Sequence, residues 1–550
     1  MQTANGNIHL EIQTSRKNPV GILRTTFREN SKVKHSQHGR ITGCTLNQLK
    51  LLQLAFREQV LPENSPNAFK ILSAKEFGAS ATLLQLAKQL GLHRAIYSRT
   101  ESWVNDCLAM IVGRIVFAGS KLSLCHQYNN SCLWELCGVE GKPDVEDHCY
   151  KAMDKLLQRQ PAIQQQLAKQ HLSNGHLVLY DITSSYFEGE YTDSELVTFG
   201  YNRDGKKGHE QVVIGLVCTA EGCPIGVEVY PGNTKDSTTV IDKINEIKSR
   251  YSIDQLIFVG DRGMITKSNL TALKDVEGLR TITALTHHAM AQLLTQGVVQ
   301  RDLFNEQQIH EIIDPDNPER RYCLCLNPAR AQQESATRER LLELTQEGLK
   351  KVAAYQQRTT PEVLGARIGK VLSQYKMGKL VDWEINADEK ESLSCHHKVV
   401  WRLNEEKITE EKRLDGCYII TTDASVEQLK TAEVVASYRR SALVEQAFRN
   451  LKTVQLQMRP MYHKRDDRIR AHVFLCMLAY YLQWQMQQRL KPLFEADEKG
   501  KNRHWTMSSI IDTLKQITRN QVQMNGVTFF KNAELTEDQQ NILQLLNIKL

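Results

Sequence analysis

His176-Leu177-Val178-Leu179-Tyr180-Asp181 and Gln255-Leu256-Ile257-Phe258-Val259-Gly260-Asp261 are two short apolar runs that each close on an acid. Runs of this length, rich in β-branched and aromatic residues and lacking alternation, read as strands buried on both faces by covering helices. Between them, Gln211 to Thr219 and Cys223 to Tyr230 form two further strands. Their connection, Ala220-Glu221-Gly222, is hairpin-sized, with glycine placed for a tight turn. Asp236 to Arg250 and Thr266 to Leu273 have helical spacing, and Leu279 to Leu285 is another strand. The order β-β-β-α-β-α-β predicts an α/β unit with a mixed sheet. Asp181 and Asp261 would then leave the core at strand ends, and would converge if the two strands are neighbours.

Outward from this unit the texture changes. Residues 1–172 open with a basic strand-forming stretch, Ile22 to Glu29 and then Lys32-Val33-Lys34-His35. Helical patterns follow at Leu46 to Val60, Ser80 to Leu92, Trp103 to Ala118 and Asp144 to Leu172, so the region is expected to be mostly helical. Residues 173–289 hold the unit described above. Residues 290–425 look like an inserted α+β domain: strands at His310 to Ile313, Arg321 to Leu326, Leu380 to Ile385, Lys398 to Leu403 and Cys417 to Thr422, with helices at Ala329 to Tyr355 and Pro361 to Leu372. Residues 426–490 return to helix, with Glu433 to Val454 and Arg468 to Gln487 separated by Pro460. Residues 491–550 are expected to be an amphipathic helical tail.

At 550 residues the chain has room for roughly three to four compact units. Its 41% hydrophobic and 24% charged residues are those of a globular protein, not a disordered one. No window reaches the ~18 uncharged apolar residues needed to span a bilayer. The start lacks both segments of a secretion signal, so a cytoplasmic location and no membrane partner are expected. Thirteen cysteines without a CxxC pair argue against a disulfide framework or a structural zinc site and for reduced, buried thiols. The net charge of +7 is modest, but its distribution is not. From Tyr438 to Arg470 nine basic residues (Arg439, Arg440, Arg449, Lys452, Arg459, Lys464, Arg465, Arg468, Arg470) stand against Glu445, Asp466 and Asp467, a local balance of +6. Interleaved with Tyr438, Phe448 and Tyr462, this stretch is expected to follow a phosphate backbone.

Hard divalent cations take oxygen ligands, so two strand-end aspartates and a third carboxylate make a suitable cradle. The third is expected from a helix packed on the sheet. In Tyr438 to Lys452, the residues Tyr438, Ser441, Glu445, Phe448 or Arg449, and Lys452 share one helical face, while Leu443, Ala447 and Leu451 form a separate packing strip.

An aspartate after a first strand, Gly260-Asp261-Arg262-Gly263 after a fourth, and a helix of Y-x2-R-x3-E-x6-K type together resemble the bacterial insertion-sequence transposases of the DDE superfamily. The likeness extends to Phe199-Gly200-Tyr201-Asn202-Arg203-Asp204, Tyr230-Pro231-Gly232-Asn233-Thr234, Arg459-Pro460-Met461-Tyr462-His463 and Arg468-Ile469-Arg470-Ala471-His472. This resemblance implies an RNase H-like catalytic domain interrupted by an insertion before the last carboxylate. It implies Asp181, Asp261 and Glu445 as ligands of two Mg²⁺ or Mn²⁺ ions. It also implies Tyr438 and Lys452 as contacts to the DNA end, with Arg440 and Arg449 beside them. Ser441 departs from the pattern, standing where the family has arginine. The expected partners are double-stranded DNA, as terminal inverted repeats and as target, and a second copy of the chain.

Each acid alone reads equally well as a turn former or helix cap; their joint occurrence with the Glu445 helix carries the reading. A haloacid-type phosphatase would need a second aspartate where Thr183 stands. An RNase H-like nuclease without joining activity, and a non-catalytic DNA-binding derivative, are the remaining alternatives.

Overall fold

A computed structural model describes residues 8–14, 18–29, 32–56, 69–173, 175–203, 205, 208–234, 244, 255–261, 273, 276–305, 308–315, 317–354, 360–387, 397–498, 504–524 and 527–550. The helices expected at Asp236 to Arg250 and Thr266 to Leu273 lie almost wholly outside the described residues, as do Arg262 and Gly263.

The chain begins with three antiparallel strands, β1 (Ile8–Gln13), β2 (Val20–Glu29) and β3 (Lys32–Ile41), backed by the helix Leu46–Phe56. Its Leu49 is fully buried beside Leu10 at Gly21, where a β-carbon would crowd both leucines. A fourth strand, β4 (Phe69–Glu76), leads into helices Gly78–Gln89, Ser102–Val116 and Lys151–His171. The start of the region is therefore a β-sheet module and not part of a helical bundle.

The central element is an eight-stranded sheet. In chain order its strands are β5 (Leu177–Tyr186), β6 (Gln211–Thr219), β7 (Pro224–Pro231), β8 (Leu256–Val259), β9 (Leu279–Ala284), β10 (His310–Asp314), β11 (Asn317–Leu326) and, after β12 (Val381–Ala387) and β13 (His397–Leu403), β14 (Cys417–Thr422). Across the sheet they run β10-β11-β14-β9-β8-β5-β6-β7. β5, β8 and β9 are parallel and all other pairings antiparallel, so the sheet is mixed as expected. β6 is buried along its whole length, the burial that its unbroken apolar run requires. Gly222, at φ +85, turns the β6–β7 hairpin. Helices Lys151–His171 and Asp466–Arg489 cover β7, and helix Ser441–Arg449 crosses β5 and β6.

The boundary of the insertion differs from expectation. β10, β11 and β14, expected inside residues 290–425 as a separate domain, instead extend the central sheet beyond β9. What stands apart is the stretch between β11 and β14: helices Pro328–Ala353 and Pro361–Tyr375, the β12–β13 pair, and two small apolar clusters around Ile368 and Leu380. The hydrogen bonds of β9 and β11 decide this, because each needs a partner and β14 supplies both.

The tail is not uniformly helical either. β15 (Thr518–Met524) and β16 (Val527–Asn532) form a hairpin between helices Met507–Lys515 and Glu537–Leu546. β15 pairs with β4, joining the two ends of the chain. The described cysteines are all free, and all but Cys44 are buried. Among the described residues no single helix is long and apolar enough to cross a membrane.

Candidate active site

β5 and β8 run parallel with Leu177 opposite Ile257, Val178 opposite Phe258 and Leu179 opposite Val259. That offset, 257 − 177 = 80, carried two residues further, sets Asp181 beside Asp261. β8 stops at Val259, so Asp261 is exposed just past its end. β5 does not stop at Asp181. It continues to Tyr186 because β6 pairs along it, with Leu216 opposite Asp181 and Gln211 opposite Tyr186. Asp181 is therefore a mid-strand residue, laid open on one edge only, where its parallel neighbour ends.

The electrostatics report the same proximity. The Asp181 carboxyl is pushed up to about 7, first by burial and then by repulsion from Asp261 and Glu445. The backbone N–H of Ile182, donating to Oδ1 at 2.8 Å, and the Arg203 guanidinium act in the opposite direction. Asp261, past the end of β8, and Glu445, from a helix, thus both act on the Asp181 carboxylate of β5.

Glu445 reaches it from helix Ser441–Arg449, which seats Val444, Ala447 and Phe448 against β5 and β6 and leaves Glu445 exposed. Burial of Val444 and of Phe448 stabilises this seating by roughly 1.5–3 kcal/mol each. The expected continuous helix from Glu433 to Val454 is broken. Thr431–Arg439 and Ser441–Arg449 are separate helices meeting at Arg440, and Asn450–Val454 widens into a π-type turn. The shared face is accordingly divided. Tyr438 and Ser441 line a cavity of about 280 Å³ with Leu285, Tyr418 and Arg439, and Glu445 does not line it. Lys452 is 7% exposed. Its ammonium donates to the Thr183 hydroxyl, two residues beyond Asp181 and so on the same strand face. Arg440 and Arg449 are exposed on either side of Glu445 in the chain.

As the side chains stand, no three His, Cys, Asp or Glu among the described residues close on a single point that could hold an ion. The donor set nevertheless fits hard divalent cations: three carboxylates and no soft ligand. Burial first, and then Asp261 and Glu445, raise the Asp181 pKa, and a cation bound among the acids would oppose that shift.

Sequence reasoning assigned no role to Thr183 or Arg203. Thr183 was legible as the i+2 neighbour of Asp181. Arg203 stands within the Phe199 to Asp204 motif, but only the fold brings it to the acid, by a bond from its backbone N–H to the Ser184 hydroxyl at 3.0 Å.

The family model described as transposase DDE domain matches residues 178–482, from within β5 into helix Asp466–Arg489. The chain belongs to this transposase family. All three carboxylates of the site fall inside the transposase match. Among curated proteins none matches the chain. Of solved structures, the piggyBac transposase synaptic complex with hairpin DNA aligns over 80% of this chain and 76% of its own, at 8% identity and a TM-score of 0.35. The Mos1 transposase paired-end complex with the left transposon end aligns over 32% of this chain and 57% of its own, at 13% identity and a TM-score of 0.15.

Proposed function

We propose that this transposase cleaves DNA strands at the terminal inverted repeats of an insertion sequence and joins the freed 3′ ends to target DNA, using an RNase H-like site built from Asp181, Asp261 and Glu445. The observation that carries the reading is the β5–β8 register, which sets the two aspartates side by side with Glu445 close enough to act on Asp181. The three carboxylates would hold two Mg²⁺ or Mn²⁺ ions. When bound, such a pair activates an attacking oxygen and stabilises the leaving oxygen of an in-line displacement at phosphorus.

The remaining work falls to the chain itself. Lys452, held against Thr183, and Arg203 place cationic charge beside the acids, offsetting the charge of a phosphate brought to them. Arg440, Arg449 and Tyr438 grip the backbone of the DNA end. The N-terminal region holds the end further out, through the β2–β3 hairpin. Arg28, Lys32, Lys34, His35 and Arg40 are exposed there, and a β-ribbon of this kind fits a major groove about 12 Å wide. A second copy of the chain brings the other end, in a dimer.

The test is strand cleavage, with Mg²⁺, of a duplex carrying the inverted repeats that border the gene. Asp181→Asn, Asp261→Asn and Glu445→Gln should each lower the rate by roughly a thousandfold, since the ions supply several kcal/mol of charge stabilisation. Melting curves should show the proteins still folded. Near-normal cleavage by any of the three removes that residue from the site. Strand transfer from a pre-cut end separates a transposase from a simple nuclease.

A further inference from the structure

Two glutamines each bury a hydrogen-bond acceptor that no described residue meets. Gln483, on helix Asp466–Arg489, is 2% exposed, and Gln455, just past the π-type turn, is half-buried. The Oε1 atom of each is buried without a partner among the described residues. Buried acceptors are ordinarily satisfied, because otherwise the bonds they made to water are lost with nothing in exchange. Both residues line one cavity of about 290 Å³.

Backbone strain falls in the same place. Among the described residues four that are not glycine have a left-handed φ, and two of them, Ala118 at +33 and Gln457 at +43, line this cavity. Such residues cost stability and cluster at active sites and ligand clamps. The rest of the lining sets the chemistry of an occupant. Asp512 and Lys515 pair with each other at 3.3 Å, so the cavity has no net charge to attract an ion. Lys515 is the one cation among the described lining residues, and Asp512 engages it, so no free cation there meets a phosphate. Val116, Phe117, Met507 and Ile511 offer apolar surface. The volume lies at the lower end of ligand pockets, which suits a single fused ring. The occupant is therefore neutral, partly apolar, and a donor to two carboxamide oxygens.

We infer that this cavity binds the base of a free adenine nucleoside. The exocyclic amine of adenine has two N–H groups, one for each orphaned oxygen, and a glutamine carboxamide matches its N6 and N7 edge. The site is distinct from the three carboxylates, none of which lines it. It is nevertheless joined to them through the backbone. Gln455 and Gln457 belong to the segment that folds back on the π-type turn: the N–H of Met458 donates to the carbonyl of Leu451 at 2.9 Å, and that of Arg459 to the carbonyl of Lys452 at 3.4 Å. A ligand held by this segment steadies the turn from which Lys452 reaches Thr183.

Calorimetric titration of the full-length protein, without DNA or metal, tests the inference. Adenosine should bind and saturate. Inosine, which presents an oxygen in place of the amine, should bind roughly ten- to a hundredfold more weakly. Gln483→Leu replaces the orphaned acceptor by an apolar group, so that protein should melt no lower than wild type and lose adenosine binding. Gln455→Met, at a less buried position, should show the same loss and keeps the test open if the first substitution unsettles its helix. In wild-type protein adenosine should slow hydrogen exchange across residues 450–459, and in Gln483→Leu protein it should not. Absence of adenosine binding at millimolar concentration overturns the inference, as does equal affinity for inosine or undiminished binding by both glutamine variants. Tighter binding of adenosine monophosphate than of adenosine also overturns it, since that requires a free cation at the cavity.

Discussion

Lys452 and Lys121 are both buried, at 7% and 5% exposure, but face different surroundings. Lys452 is bonded to the hydroxyl of Thr183, two residues beyond Asp181 on β5. Lys121 lies far along the chain against the ring of His472, with Nζ 2.9 Å from Nδ1. Burial depresses its pKa to about 7, with Arg114 adding to the effect and Cys476 and Cys149 opposing it. His472 is itself held well below its usual range by burial and by the same two cations. Below about pH 7 the folded and unfolded chains both carry the Lys121 proton, and the full cost of burying the charge is present. Between there and about 10.5 only the unfolded chain carries it, so the cost shrinks as pH rises; above that it is gone. Lys121→Met should therefore stabilise the protein by an amount on the order of several kcal/mol at pH 6, and by little at pH 10. Parallel melting curves of the two proteins across that range check it; a constant difference would show that Lys121 is not buried as an ion.

At the scale of elements, the β2–β3 hairpin and the Ser441–Arg449 helix, both proposed above to meet DNA, expose their cations for different reasons. The helix owes its position to apolar burial, and its arginines are incidental to that seating. The hairpin has an outer strand, β3, on which residues 32–38 are all exposed. Lysines on such a strand also guard against edge-to-edge association, so charge alone does not fix its role. Salt dependence does. Replacing Arg28, Lys32 and Arg40 by glutamine should flatten the slope of log affinity against log salt by about 0.9 for each charge that had met a phosphate. A slope equal to wild type, with more aggregation, would assign the hairpin to edge protection.

At the scale of the molecule, the described residues form one large apolar core and three smaller clusters, two of them in the stretch between β11 and β14. The main apolar cluster runs from Phe77 through the sheet to Ile548, whereas Leu349, Ile368 and Leu372 pack in a cluster of their own. β11 and β14 are paired up to Leu326 opposite Cys417, and the N–H of Asn327 bonds to Gly416 at 2.9 Å, so the two ends of the stretch between them touch. Replacing residues 328–415 by a short turn should close an ordinary hairpin. The shortened protein is expected to stay soluble and to unfold in a single cooperative transition by circular dichroism. Aggregation, or loss of the sheet signal, would mean that this stretch is part of the core.

The strands themselves were legible because burial on both faces leaves unbroken apolar runs, as in Val212 to Cys218 and Leu256 to Val259, and the fold uses both. Asp181, Asp261 and Glu445 were legible as candidates only together, two acids closing apolar runs and a third on a basic amphipathic helix. The break at Arg440 was not, since Tyr438 to Lys452 contains neither glycine nor proline and the local pattern favours one helix. Nor was the pairing of Met524 with Phe69, or the capture of β10, β11 and β14 by the central sheet. Backbone hydrogen bonds carry no sequence label, so which strand lies beside which is chosen by the packing of the whole chain. The sequence by itself determined where most strands of the central sheet would lie and which acids would be available. Only the tertiary structure decided that β8 lies parallel to β5 with an offset of 80, the shift that brings Asp181 beside Asp261.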